Sequence, residues 1–146
     1  MGKLMKLNKT LYPFYFIKSK GRFSLSFGGE DLKSYLFLKL GFNDSGYSWE
    51  KVAKYYILNF MRDSIFDFNF DCELDTFCIF SKNYKILRKF ALEFKKLWDN
   101  DILLLDFIPK ALTHNCLNST LMKIPAKAGM GVSNPALLNS QDKIIP

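Results

Sequence analysis

Residues 41–50 read GFNDSGYSWE and mark the point where one helix ends and the next begins. Gly41 follows the run 36–40 (LFLKL), and a glycine just past a helix end adopts a positive φ without steric cost. The next four residues favour a turn: Asn43, Asp44, Ser45 and Gly46. Ser48 is a good N-cap, and Glu50 falls in the first helical turn, where the helix dipole favours an anion. The stretch therefore predicts a short polar loop between two helices, with Ser48 as the N-cap of the second.

The residues on either side of this loop have helical spacing. Downstream, the apolar positions recur at intervals of three and four: Trp49, Val52, Ala53, Tyr56, Ile57 and Phe60. That spacing places them on one face of an amphipathic helix. Upstream, Leu32, Leu36 and Leu40 predict a helix over 30–40.

Strands are predicted before and after this pair of helices. Residues 12–17 and the alternating run 23–27 flank a glycine turn, which predicts a hairpin. Residues 66–75 alternate between apolar and acidic or amide side chains, so a strand is expected in their first half, with Leu74 on the apolar side. A second short strand is predicted over 76–80, a helix over 83–98 and a final helical or extended piece over 99–107. The order ββααββα predicts an α+β fold, with helices packed on one face of a small antiparallel sheet.

Composition divides the chain into three parts. Its 146 residues suit a single domain. No aromatic residue follows Phe107, whereas positions 108–146 hold four of the five prolines. A segment of that kind buries little apolar area against its ordering entropy. We therefore predict a basic N-terminal segment over 1–11, a folded α+β domain over 12–108 and a weakly ordered tail over 109–146.

Charge is distributed unevenly along a chain whose net charge is +7. Residues 1–29 carry six cations and no acid, while residues 63–75 carry five acids and no cation. Separation of this kind can steer a charged partner. Three cysteines without framework spacing favour a reducing compartment. With neither a secretory signal nor an apolar stretch long enough to cross a bilayer, the sequence predicts a cytoplasmic protein without a membrane partner.

No residue pattern points to catalysis, a metal or another cofactor. Asp67, Asn69 and Asp71 match the first ligand positions of a calcium loop, but the required glycine and glutamate are both replaced by cysteine. The three cysteines and His114 lack the spacing of a zinc site. His114 is also the only histidine, and no nucleophile motif accompanies it. The prediction is a protein that is not an enzyme and uses no cofactor.

A nucleic-acid-binding module remains the alternative function. It would use the basic N-terminal hairpin together with the basic helix around Arg88. Residues 20–27 have some likeness to an RNA-recognition strand, but Arg22 and Ser24 replace the aromatic residues that would stack on bases. Nucleic acid is therefore the less favoured partner. A homo-oligomer is compatible with the sequence.

Several of these segments together resemble a known family. The hairpin ending in an alternating strand, the Gly41-Phe42 turn, the helix start at residues 46–49 and the acidic turn 71–77 (DCELDTF) carry the likeness. Over residues 12–108 the chain is similar to the immunity family numbered fifty-one of bacterial polymorphic toxin systems. It departs from that pattern at Cys72, where proline is expected. The resemblance implies a protein that binds a cognate toxin and neutralises it by occlusion, without catalysis.

The resemblance and the local chemistry together suggest where a toxin would bind. An immunity protein needs a preformed surface with a few anchors and complementary charge. The candidate partner-binding residues are Asp67, Asp71, Glu73, Asp75, Asn43, Asp44 and Tyr47. A competing interpretation places Trp49, Phe77 and also Tyr47 in the core, because they begin elements beside apolar neighbours. Glu73 has an alternative role of its own as the cap of a turn.

Overall fold

The computed structural model describes residues 2–28 and 33–114, which form five α-helices, one 3₁₀ helix and four strands. In chain order these are α1 (Gly2–Leu11), β1 (Tyr15–Ser19), β2 (Arg22–Gly28), α2 (Ser34–Leu40), α3 (Gly46–Phe60), the 3₁₀ helix Arg62–Asp67, β3 (Asn69–Phe70), β4 (Thr76–Ser81), α4 (Tyr84–Trp98) and α5 (Asp101–Thr113). The ββααββα order predicted from the sequence is present, preceded by α1 and followed by α5. None of the helices in the described ranges is long and apolar enough to cross a membrane.

The four strands form one antiparallel sheet in the order β1-β2-β4-β3. Its buried side chains lie on one face, since Phe16 pairs with Leu25 and Leu25 pairs with Ile79 across the sheet. Tyr15 and Ile17, at the alternate positions of β1, are exposed. The helices cover the buried face, so the predicted α+β class and its one-sided packing are confirmed.

Aromatic side chains fill the space between the sheet and the helices. The Trp49 ring in α3 lies 4.9 Å from the Trp98 ring in α4 and 5.2 Å from the Phe37 ring in α2, measured between centroids. Phe14 meets Phe27 edge-on at 5.2 Å. Edge-to-face contacts of this kind add stabilisation beyond simple burial of area. The core therefore ties all three of these helices to the sheet.

The start of α3 differs from the prediction. Ser45, not Ser48, is its N-cap: the backbone N–H of Ser48 donates to Ser45 Oγ at 3.0 Å. The Ser48 hydroxyl instead donates to the carbonyl of Asn43 at 2.7 Å. Both serines are good caps, and the helix begins earlier because Gly46 is anchored to a distant turn, described below. Gly41 ends α2 with φ 82°, as predicted.

The acidic alternating stretch also folds differently from the expectation. Its first residues belong to the 3₁₀ helix, and β3 contains only Asn69 and Phe70. Phe66 and Leu74 are exposed although their parity predicted burial. Only Phe70 pairs with the buried face of β4, opposite Ile79. Alternation beyond β3 reflects a turn rather than a strand.

Helices occupy parts of both predicted flanking segments. The basic segment forms α1 from residue 2, with Leu7 and Leu11 buried. At the other end α5 continues past the predicted boundary at 108 and through Pro109, because Ile108 and Ala111 are buried against the body. The rest of the predicted tail, 115–146, lies outside the described residues.

Candidate functional site

The fold brings together two of the segments proposed for partner binding. The backbone N–H of Gly46, in the loop before α3, donates to the carbonyl of Leu74 at 2.9 Å. A Cβ atom on Gly46 would lie 2.0 Å from the carbonyl oxygen of Glu73 and 2.1 Å from that of Thr76. The helix start therefore packs directly on the turn. We call the exposed residues of the loop 43–47 and the turn 71–75 the acidic surface.

The turn itself is held by backbone hydrogen bonds. Glu73 and Thr76 exchange N–H···O bonds of 2.9 and 3.2 Å, and the N–H of Asp71 donates to the carbonyl of Cys78 at 3.0 Å. A Cβ on Gly28 would lie 2.7 Å from the carbonyl oxygen of Asp75, so β2 also closely approaches the turn. Contacts from two sides fix the backbone that displays the acidic side chains.

The acidic surface combines carboxylates with two apolar side chains. Asp71, Glu73 and Asp75 are exposed. Between the last two, Leu74 is 70% exposed, and Tyr47, directly after Gly46, is 51% exposed. Exposed apolar groups within a charged rim are typical of interface anchors. Leu74 was missed as a site residue because alternation placed it on the buried side, although its two acidic neighbours are a signal for a solvent-exposed turn.

The remaining candidates divide between structural and exposed positions. Asp44 accepts hydrogen bonds from Ser34 Oγ at 2.6 Å and from Trp49 Nε1 at 3.1 Å. Its carboxylate is thus used to hold the loop against α2 and α3. Asn43 is exposed beside it. Asp67 ends the 3₁₀ helix that precedes β3, in a different element from the turn.

The competing core interpretation is confirmed for two aromatic residues and wrong for the third. Trp49 and Phe77 are each 1% exposed and belong to the core. Tyr47 points to solvent at the start of α3, where the first helical turn leaves it outside the packed face. Glu73 closes the turn through its backbone, and its side chain is exposed.

Comparison with known protein families gives one match, to the model described as Immunity protein 51 (Imm51), over residues 14–113. This match spans more than half of the chain. The chain belongs to the Imm51 family. No curated protein and no solved structure matched it.

The Imm51 segment contains the whole sheet and the acidic surface. It begins just before β1 and ends at the last residue of α5, so α1 precedes it. The turn 71–75 therefore belongs to the segment that matches the family model. Helix α1, by contrast, is outside the matched segment.

Of two cysteines of this Imm51 protein, Cys72 lies within the turn 71–75 and Cys78 lies in β4. Cys72 Sγ accepts from the backbone N–H of Cys78 at 3.3 Å and lies 3.4 Å from the Cys78 carbonyl as a donor. Burial raises the pKa of Cys72 to about 12 and also raises the pKa of Cys78. Both thiols are therefore protonated at neutral pH and weakly nucleophilic. Within 2–28 and 33–114, no three metal-ligating side chains come together; Cys116 lies outside these ranges.

Proposed function

We propose that this Imm51 protein binds a cognate toxin through the acidic surface and neutralises it by occlusion, without catalysis. Membership of an immunity family supports the toxin as the partner. We choose this surface because Gly46 packs directly on the turn. That contact fixes the backbone that exposes Leu74 and Tyr47 among carboxylates. The protein would act in the bacterial cytoplasm, a reducing compartment in which its cysteines remain free thiols.

A rigid turn suits this role for an energetic reason. Ordering a loop on association consumes part of the interaction free energy, so a turn that is already fixed retains more of that energy for affinity. Two apolar anchors supply area that is buried in the complex. The carboxylates around them favour a basic patch on the toxin and exclude acidic competitors.

Co-expression with the toxin domain encoded beside this protein tests the proposal. Cells producing both proteins should survive, and the purified pair should form a complex by calorimetry. Reversing Asp71 and Glu73 to lysine should weaken binding more than reversing Lys95 and Lys96 to glutamate, which are on α4. Truncating Leu74 and Tyr47 together to alanine should lower affinity by about thirtyfold or more if they are central anchors.

Three results would each contradict a part of the proposal. Equal cell death with and without this protein, together with no complex, would remove the immunity role. Inhibition of the toxin at far below one molar equivalent would show turnover and contradict the non-catalytic mechanism. A complex that survives all the acidic-surface substitutions unchanged would retain the immunity role but place its interface elsewhere.

A further inference from the structure

A second surface of the molecule carries the opposite charge. Helices α1 and α4 line a groove of about 830 Å³, within the range of ligand-binding clefts. Its basic side chains come from both helices: Lys3, Lys6, Lys85, Arg88 and Lys89. The half-buried Leu92 provides apolar surface between them, and the buried Leu7 lies beneath. We call this set of seven residues the basic groove.

Among the residues that the structure describes, the cations of the basic groove lack the carboxylate partners that other lysines have. Five other lysines of the described chain form ion pairs: Lys33, Lys54, Lys95, Lys96 and Lys110. No such pair is found for the five groove cations within 2–28 and 33–114. Glu93 is the one acid among the described residues lining the cleft, and it contacts Lys96 at 3.2 Å. Among the described residues, five cations and a single carboxylate thus line one concave site, so its net charge is positive.

The combination of charge and shape selects an occupant. Like charges gathered in a cleft repel one another, and an anion placed among them relieves that repulsion. The half-buried Leu92 favours an occupant that also offers an apolar side chain. We propose that the basic groove binds an acidic peptide segment of a protein partner, with carboxylates on the lysines and Arg88 and an apolar side chain against Leu92.

The aromatic content of the groove disfavours a nucleic acid in the same place. Binding of single strands depends on exposed rings on which bases stack. Tyr84 is the one aromatic residue among those lining the groove, and its ring already meets Phe16 at 5.8 Å and Phe23 at 5.2 Å. The basic helix around Arg88, which suggested nucleic-acid binding, contributes here together with Lys3 and Lys6 of α1, but without a stacking platform.

This inference is independent of the toxin interface. One wall of the groove is α1, which precedes the residues matched to the family, and none of the groove residues belongs to the acidic surface. Failure of one proposal therefore leaves the other standing.

The test uses the full chain and a fluorescein-labelled synthetic peptide in which aspartate and glutamate alternate with leucine. Fluorescence anisotropy should show saturable binding that weakens as salt is raised. A matched peptide with asparagine and glutamine in place of the acids should bind at least about tenfold more weakly, because charged contacts supply much of the specificity. The variant Lys6→Glu/Arg88→Glu should lose a similar factor.

The matched control is Lys39→Glu/Lys51→Glu, which makes the same charge change at exposed residues of α2 and α3, two helices that contribute no residue to the lining of the groove. It should retain binding to within about threefold, since screened charges away from the site act weakly. Circular dichroism confirms that both variants are folded. The proposal is overturned if the two variants lose binding equally or the amide peptide binds as well. Tighter binding of a single-stranded RNA of equal charge would also overturn it, and would assign the groove to nucleic acid.

Discussion

At the scale of single residues, Gly46 determines how the acidic surface is built. Its missing side chain lets the first turn of α3 touch the backbone of residues 73–76. Gly46→Ala should destabilise the protein by about 3 kcal/mol, because the new methyl overlaps backbone carbonyls that cannot rotate away. Urea unfolding monitored by tryptophan fluorescence measures the change.

Gly2→Ala is the control for this substitution, since a Cβ there meets nothing within 4 Å. Its effect should stay within about 0.5 kcal/mol. A Gly46→Ala protein as stable as the wild type would mean that the fold does not depend on the close contact between the start of α3 and the turn. The rigid presentation of Leu74 would then lose its physical basis.

Asn8 protects an exposed edge of the sheet. Its side-chain amide accepts from the backbone N–H of Phe16 at 2.6 Å and donates to the Phe16 carbonyl at 3.2 Å. The amide thus takes the place of a neighbouring strand along β1, and unpaired strand edges promote association. Asn8→Ala should cost about 1–3 kcal/mol by leaving both backbone groups unsatisfied. It should also increase self-association, measured by light scattering across protein concentrations.

Lys9→Ala, at an exposed neighbour on the same helix, should change neither stability nor association. An Asn8→Ala protein that stays monomeric with unchanged stability would show that water satisfies the β1 edge equally well.

At the scale of elements, a polar contact joins α2 to the start of α5. Lys33 Nζ lies 2.8 Å from Asp101 Oδ1, and the Tyr35 hydroxyl donates to the other carboxylate oxygen. The hydrogen bonds from Lys33 and then Tyr35 lower the pKa of Asp101, while the bond to Asp101 raises the pKa of Tyr35. Because the two pKa shifts have opposite signs, the contact stabilises the fold between an acidic and an alkaline limit of pH.

The carboxylate, with a lowered folded pKa, contributes stability above its unfolded pKa of about 3.9 and loses it as pH falls through the folded value. The phenol, with a raised pKa, contributes below about pH 10 and loses it as pH rises through its folded value. Asp101→Asn should therefore reduce stability most at neutral pH and least at both extremes. Tyr35→Phe should remove the alkaline change and leave part of the acid change. Thermal unfolding across pH checks both, and a uniform loss at every pH would contradict the linkage.

The sequence predicts those elements that are set by a local pattern of residues. It does not predict features that depend on contacts between residues distant in the chain. The hairpin, α3 and α4 follow from periodicity that survives in the fold. Leu4, Leu7 and Leu11 also have the spacing of a helix, which the structure shows as α1. The lysines between them predict only a basic segment, so this helix is not predicted from charge. Leu74 could not be placed from alternation alone, because its exposure depends on the seating of Gly46, which is distant in sequence.

At the scale of the whole molecule, charge is separated onto surfaces built from different elements. The acidic surface comes from the loop before α3 and the turn before β4, whereas the basic groove comes from α1 and α4. Sequence composition showed both charge runs, but only the fold shows that Lys3 and Lys6 share a cleft with Arg88. A molecule with this asymmetry orients an approaching charged partner before contact.

Steering by the acidic surface has a kinetic consequence for the proposed toxin complex. Long-range attraction acts on the association rate, whereas desolvated apolar contacts act mainly on dissociation. In stopped-flow measurements, the association rate should fall as salt is raised, and the variant Asp71→Lys/Asp75→Lys should associate more slowly with a flattened or inverted salt dependence. Leu74→Ala should instead raise the dissociation rate and leave association within about twofold. The two variants alter neighbouring residues of one turn, so a shared distortion would change both rates in both proteins. Two results together would contradict this prediction: Leu74→Ala slows association, and the charge reversals leave the salt dependence unchanged. The turn would then act through its shape and not through its charge.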